Sequence, residues 1–178
     1  SDCRPGGPTG DDARRQRHAA RGLLARGVGT AEDRPRGAQI LEIPILWNEQ
    51  YPEGLGPTIP ELQELLKEQE PLAKRSFSCC GNESFVELLK ATGRKQVLLL
   101  GIESHVCVYQ TAADLLAADF EVHVVTDAIS SRTAANREVG LERMRDLGAK
   151  LTSTETCLFE LLRVAQGAQF KEISKLVK

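Results

Sequence analysis

The chain reads as an α/β domain: a central parallel sheet with helices on both faces, in a three-layer α/β/α arrangement. Two observations carry that reading. From residue 38 onward, short apolar runs of strand length alternate with segments of helical pattern, as βαβ crossovers require. The chain has 178 residues, 41% of them apolar, enough for one domain with a substantial core.

In chain order, strands are expected over 40–47, 96–101 and 121–126, with a short one at 150–152. Helices are expected over 59–67, 84–92, 106–118, 133–147, 154–166 and 169–177. The run 96–101 is placed near the middle of the sheet. Residues 48–60 hold Pro52, Gly54, Gly56, Pro57 and Pro60, which predicts an irregular loop. Loops after strand ends line the ligand crevice of a parallel sheet, so Trp47, Asn48, Glu49 and Tyr51 are pocket candidates. Trp47 suits core packing equally well. Ser131 is placed to cap the helix over 133–147 and Gly148 to end it. Leu141, Met144 and Leu147 give that helix an apolar stripe, read as core.

Residues 1–37 differ from the rest. They hold eight of the fifteen arginines and none of the eight lysines, seven of the fifteen glycines, and no Ile, Phe, Tyr, Trp or Met. A segment so poor in large apolar groups does not offset its ordering entropy. One reading is a basic disordered arm. A matrix-targeting peptide is a second, and Asp2, Asp11, Asp12, Glu32 and Asp33 argue against it. The favoured third is out-of-frame translation of a GC-rich coding stretch, which gives Arg, Gly, Pro and Ala.

The formal net charge is −2, so no global electrostatic case exists for nucleic acid. No apolar run approaches the roughly 18–20 residues of a membrane span. The five cysteines are odd in number, without ligand-like repeats, and Cys79 and Cys80 are adjacent, too close for ordinary disulfide geometry. A reduced, cytoplasmic compartment is expected, with the mitochondrial matrix left open.

The chemistry concentrates in residues 101–109. The apolar run Val97, Leu98, Leu99, Leu100 leads through Gly101 to Cys107 at the start of a helical segment. A cysteine there meets the helix dipole and the free N–H groups of the first turn, which favour a thiolate. The same groups can receive the charge that develops when a thiolate attacks a carbonyl. Most free cysteines are small buried hydrophobes, and position alone leaves the two readings even.

Further motifs tip that balance. Cys107-Val108 is followed by Thr111-Ala112-Ala113-Asp114, then by a strand ending in Asp127-Ala128 with Ser131-Arg132 behind it. Upstream stand Pro71 to Ser78 and the stretch Leu41 to Gly56. From about Ala38 to Lys178 this order and spacing resemble the isochorismatase-like cysteine hydrolases, and among them the isochorismatase domain-containing proteins.

The resemblance implies a Rossmann-like sheet of six strands, the first missing or disordered if residues 1–37 are out of frame. It implies a catalytic set of Asp, Lys and Cys. Cys107 matches the nucleophile, and Lys74 the lysine that precedes an aromatic residue, here Phe77. An ammonium near a thiol lowers its pKa. The Asp has no match: Asp11 and Asp12 lie at about the right interval, but their flanks do not fit. By the same resemblance the peptide from Ile102 to Glu103 is cis, which turns the Glu103 N–H toward that of Cys107, the two forming an oxyanion hole.

Nicotinamidase relatives use an Asp-x-His-x-x-His loop. Here that loop runs Asn48-Glu49-Gln50-Tyr51-Pro52-Glu53, so no metal and no cofactor are expected. His105 is conceivable as a base, and is kept as a pocket candidate, but residues two apart at a helix entrance point in different directions. The expected partners are a small-molecule substrate and further copies of the chain. Two functions remain: a hydrolase of small carbon–nitrogen or related bonds, impaired without its Asp, or an inactive family member serving as a binding or scaffold subunit.

Overall fold

The computed structural model describes residues 33–177, so expectations for residues 1–32 lie outside it. Helix α1 (Asp33–Ile40) opens the described chain and crosses the 37/38 boundary drawn from composition. The strand expected over 40–47 is not there: residues 41–47 form a turn and an unpaired stretch, and β1 is the three-residue Asn48–Gln50. Pairing decides this. Among the described residues the backbone meets a ladder partner only where the Trp47 carbonyl accepts from the Leu72 N–H at 2.8 Å.

β1 runs parallel to β2 (Leu72–Lys74), with Asn48 opposite Leu72 and Gln50 opposite Lys74. The stretch 48–60, expected to be irregular throughout, carries β1 and a helical turn α2 (Pro52–Leu55). Helix α3 (Pro60–Leu65) begins on proline, where the missing N–H had no intrahelical partner to lose. After β2 comes a 3₁₀ turn, Cys79–Gly81, then α4 (Glu83–Ala91), whose Asn82 cap accepts from the Phe85 N–H at 3.3 Å.

A second parallel sheet has the order β3-β4-β5, from β3 (Gln96–Ile102), β4 (Glu121–Ser130) and β5 (Lys150–Thr152). Among the described residues its middle strand is β4 rather than the run 96–101. β4 is the longer strand and buries Val122, Val124, Val125, Ala128 and Ile129. β3 is an edge among the described residues, and Leu98 and Leu100 on it are 36% and 47% exposed. The β3–β4 register shifts between Leu99 and Gly101. The extra β4 residues carry Asp127 to the start of α7 (Thr154–Leu162), where its Oδ1 accepts from the Thr154 N–H at 2.9 Å.

Between the strands run a π-helical turn (Ser104–Val108) with α5 (Tyr109–Ala117), and α6 (Ala134–Asp146). The α6 cap is Thr133, whose hydroxyl accepts from the Asn136 N–H at 3.1 Å. Ser131 is not the cap: it lies too far upstream and bonds the cysteine turn instead. Gly148, at φ 99°, does end the segment. Its N–H reaches the Arg145 carbonyl and that of Ala149 the Met144 carbonyl, the Schellman pattern. Leu141 and Met144 are buried, but Leu147 is exposed, because it is the C-cap beyond the last packed turn. Helix α7 stops at Leu162, short of residue 166, where Arg163 takes φ 61°, and α8 (Gly167–Leu176) packs against α7 and α1.

The core lies where α4, α5 and α6 meet β3 and β4, with Ala112, Val124 and Met144 fully buried. This is an α/β fold of parallel sheets with flanking helices. No helix among the described residues is long and apolar enough to cross a membrane.

Candidate active site

The C-terminal ends of β1, β2 and β3 converge on Cys107. β3 leads into the Ile102–Glu103 peptide, which is cis, and the Glu103 carbonyl accepts from the N–H groups of Val106 and Val108 at 3.2 and 3.1 Å. Ser131 locks the turn from β4's end. Its hydroxyl accepts from the Ser104 N–H at 3.0 Å, lies 2.7 Å from the Ser104 hydroxyl and 3.1 Å from His105 Nδ1. Glu103, 4% exposed, directs one carboxylate oxygen to the backbone N–H and Nε of Arg132, at 3.1 and 3.3 Å. Its Oε1 is buried without a hydrogen bond.

Helix α6 rests on this turn at Gly140. A Cβ there would meet the Ser104 carbonyl carbon at 2.6 Å and the His105 nitrogen at 2.7 Å, so only glycine permits the approach.

Lys74 comes from β2 and is buried. Its Nζ donates to Gln50 Oε1 at 2.5 Å, the Ser76 carbonyl at 3.0 Å and the Phe77 carbonyl at 2.7 Å. The Cys107 sulfur lies 3.9 Å from the same Gln50 oxygen. Gln50 therefore bridges the ammonium and the thiol. Sequence reasoning did not single it out. Its signal is the register, since Gln50 stands directly opposite Lys74.

The Cys107 thiol has its pKa raised, not lowered as the resemblance led one to expect. Burial is the largest cause. The Lys74 charge opposes it, followed by a hydrogen bond from the Glu103 backbone. Desolvation of the thiolate outweighs one ammonium.

The pocket candidates separate. Tyr51 lines a shallow pocket of about 180 Å³ with Pro52, Glu53, Ala73, Lys74 and Arg75, and the Arg75 guanidinium sits 4.4 Å above its ring. Trp47 and Glu49 are spent on the loop: Trp47 Nε1 donates to the Thr58 hydroxyl at 2.8 Å, and Glu49 Oε1 accepts from the Thr58 N–H at 2.6 Å. His105 is turned to Ser131 and, at 3.7 Å, to Glu103. Among the described residues no group of three or more His, Cys, Asp or Glu side chains is arranged to hold a metal ion.

A family model described as the isochorismatase domain matches residues 22–156. The family match reaches further upstream than the resemblance read from the motifs, which begins at about Ala38, and takes in part of the segment 1–37. The mouse isochorismatase domain-containing protein 2A is 47% identical over 146 residues, covering 79% of this chain and 67% of its own. The structure of the MAR1 ribonuclease from Caenorhabditis elegans aligns with a TM-score of 0.76 and 41% identity, over 83% of this chain and 77% of that one. YcaC from Pseudomonas aeruginosa, solved with hexane-2,5-diol and covalent acrylamide, aligns with a TM-score of 0.77 and 25% identity, over 97% and 80%.

Proposed function

The chain belongs to the isochorismatase family, and on that premise we propose that it is a cysteine-nucleophile hydrolase of a small amide or related molecule. The supporting observation is the bridge at Gln50, which puts the Lys74 ammonium and the Cys107 thiol on one oxygen. The covalent acrylamide on the P. aeruginosa relative agrees with a reactive nucleophile in such a fold.

In this reading the Cys107 thiolate attacks the carbonyl carbon, and the backbone N–H groups of Glu103 and Cys107 receive the developing oxyanion. The C–N bond breaks, the amine leaves with a proton, and water hydrolyses the thioester to release the acid and regenerate the thiol. Lys74 favours the thiolate. Tyr51, nearest the shallow pocket, is the pocket candidate that contacts the substrate. The protein acts on a small molecule and self-associates.

The Gln50 group 3.9 Å from the sulfur is an amide oxygen, which cannot accept a proton from a thiol as a carboxylate does. Loss of a general base typically costs ~10²–10⁴-fold, so a site built from the described residues alone turns over slowly. The same observation, with the raised thiol pKa, favours a second reading: a binding subunit without turnover.

Iodoacetamide separates the two. The hydrolase reading expects Cys107 to label faster than a free thiol once the pH permits ionisation, with Lys74→Ala slowing labelling about tenfold at fixed pH by removing the charge. Labelling no faster than a free thiol, unmoved by Lys74→Ala, selects the binding subunit. A panel of small amides and enol ethers names the substrate, with RNA included because the C. elegans relative is called a ribonuclease.

A further inference from the structure

Cys107 has a second thiol beside it. Thr111, on the first turn of α5, donates its hydroxyl to the Cys107 carbonyl at 2.7 Å and accepts from the Cys79 N–H at 3.0 Å. One buried oxygen thus holds the backbones of both cysteines together. The Lys74 charge favours the thiolate of each, and Cys79 disfavours ionisation of Cys107. Both cysteines are free and half-buried. Cys79 opens a single 3₁₀ turn two residues after the exposed Phe77, in the connection between β2 and α4. The hydrolase mechanism uses Cys79 for nothing. Cys80 has its backbone N–H on the Ser78 hydroxyl at 3.1 Å, and its thiol is influenced by Ser78, Asp114 and Cys79, not by Cys107.

We infer that Cys79 is the resolving thiol of a peroxide-sensitive pair, closing a Cys79–Cys107 disulfide that switches the site off and protects it. The inference rests on Cys107 being the reactive thiol. The Cys107 thiolate attacks a hydroperoxide oxygen, the O–O bond breaks, and the remaining oxygen leaves as hydroxide or alkoxide. The nucleophile is now a sulfenic acid. The Cys79 sulfur then attacks the Cys107 sulfur, the S–O bond breaks, and water departs with the Cys79 proton. The peroxide has taken two electrons, which an external dithiol returns by exchange through a mixed disulfide.

The test treats the reduced chain with equimolar hydrogen peroxide, blocks remaining thiols, and maps peptides by mass spectrometry without reduction. A peptide linking Cys79 to Cys107, cleared by dithiothreitol, is the expected result. Cys79→Ser should instead raise the dimedone-trapped sulfenic acid on Cys107 about tenfold and give no linked peptide. Cys80→Ser should keep the link. Dimedone labelling of Cys107 at equal rates in the unaltered chain and Cys79→Ser, with no linked peptide, overturns the inference. A link from Cys107 to Cys80 overturns it too. Failure of Cys107 to label with iodoacetamide in the untreated chain sinks the hydrolase reading and this one together, whereas normal labelling without linkage sinks this one alone.

Discussion

The candidate site joins two halves held with unequal firmness. The cysteine half hangs from seven-residue β3 and ten-residue β4. Ser131 grips Ser104 and His105, Arg132 grips Glu103, and α6 presses on the turn at Gly140. The lysine half hangs from β1 and β2, three residues each and paired only with one another among the described residues. An isolated two-stranded pair is marginal on its own. The Cys107 turn is therefore fixed by many independent bonds, while the Lys74 ammonium depends on a short ribbon. In the hydrolase reading proposed above, that difference puts the control of reactivity in the lysine half.

The largest effect should come from the firm half. Cys107→Ser should lower turnover of any substrate the panel finds by ~10³-fold or more while leaving the thermal midpoint almost unchanged. Lys74→Ala should leave roughly a tenth of the activity. Equal losses in the two variants would mean that the lysine half does more than tune charge.

Gln50→Glu comes next, because it puts a carboxylate where the amide oxygen stands 3.9 Å from the thiol. Two readouts should move in opposite directions. Turnover should rise at least ~10-fold as a general base is supplied. The pH midpoint of alkylation should move up, since a new negative charge disfavours the thiolate already raised by burial. A fall in turnover alongside the raised midpoint would show that charge, not proton transfer, limits the reaction.

Gly140→Ala strikes the lock of the cysteine half. The added methyl would meet backbone of Ser104 and His105 inside 3 Å, and neither can swing aside like a side chain. About 1–3 kcal/mol of stability should be lost, measured by urea unfolding. Unchanged stability would mean that α6 and the turn are held less rigidly than their bonds imply.

The firm half was also the legible one. An apolar run, a glycine and a cysteine at a helix start are local signals, and they located β3, the turn and α5 within a few residues. Ser131 was noticed but given the wrong partner, because local spacing suggests a cap while its contact with Ser104 is 27 residues away. The lysine half was harder to read. The apolar residues 43–46 have strand character, yet a strand exists only where a ladder partner does, and no local pattern reports that. Gln50 was invisible for the same reason. It matters because β1 and β2 pair in the register that sets it opposite Lys74, and register is a property of two strands together.

The smallest effect should come from the firm half's far end, where Glu121 begins β4. Its carboxylate pairs with Lys150 on β5 and lies 3.1 Å from Gln96 Nε2 and 3.0 Å from His123 Nε2. These partners, Lys150 foremost, hold its pKa at about 2 against an ordinary 4.5. Because the folded value is the lower one, the stabilisation is complete above about pH 4.5 and disappears as the pH falls toward 2. Exposed pairs of this kind contribute little and are screened by salt. Glu121→Gln should therefore lower the melting temperature slightly at pH 7 and low salt, and the gap between the two proteins should close both at high salt and toward pH 2. Cys107 alkylation should not change, because Glu121 ties the strands at the end opposite the site and the cysteine turn keeps its own bonds to Ser131 and Arg132. A change in the alkylation rate would show that the cysteine half transmits strain along β4, and that its firmness is shared with the whole sheet instead of residing in the turn.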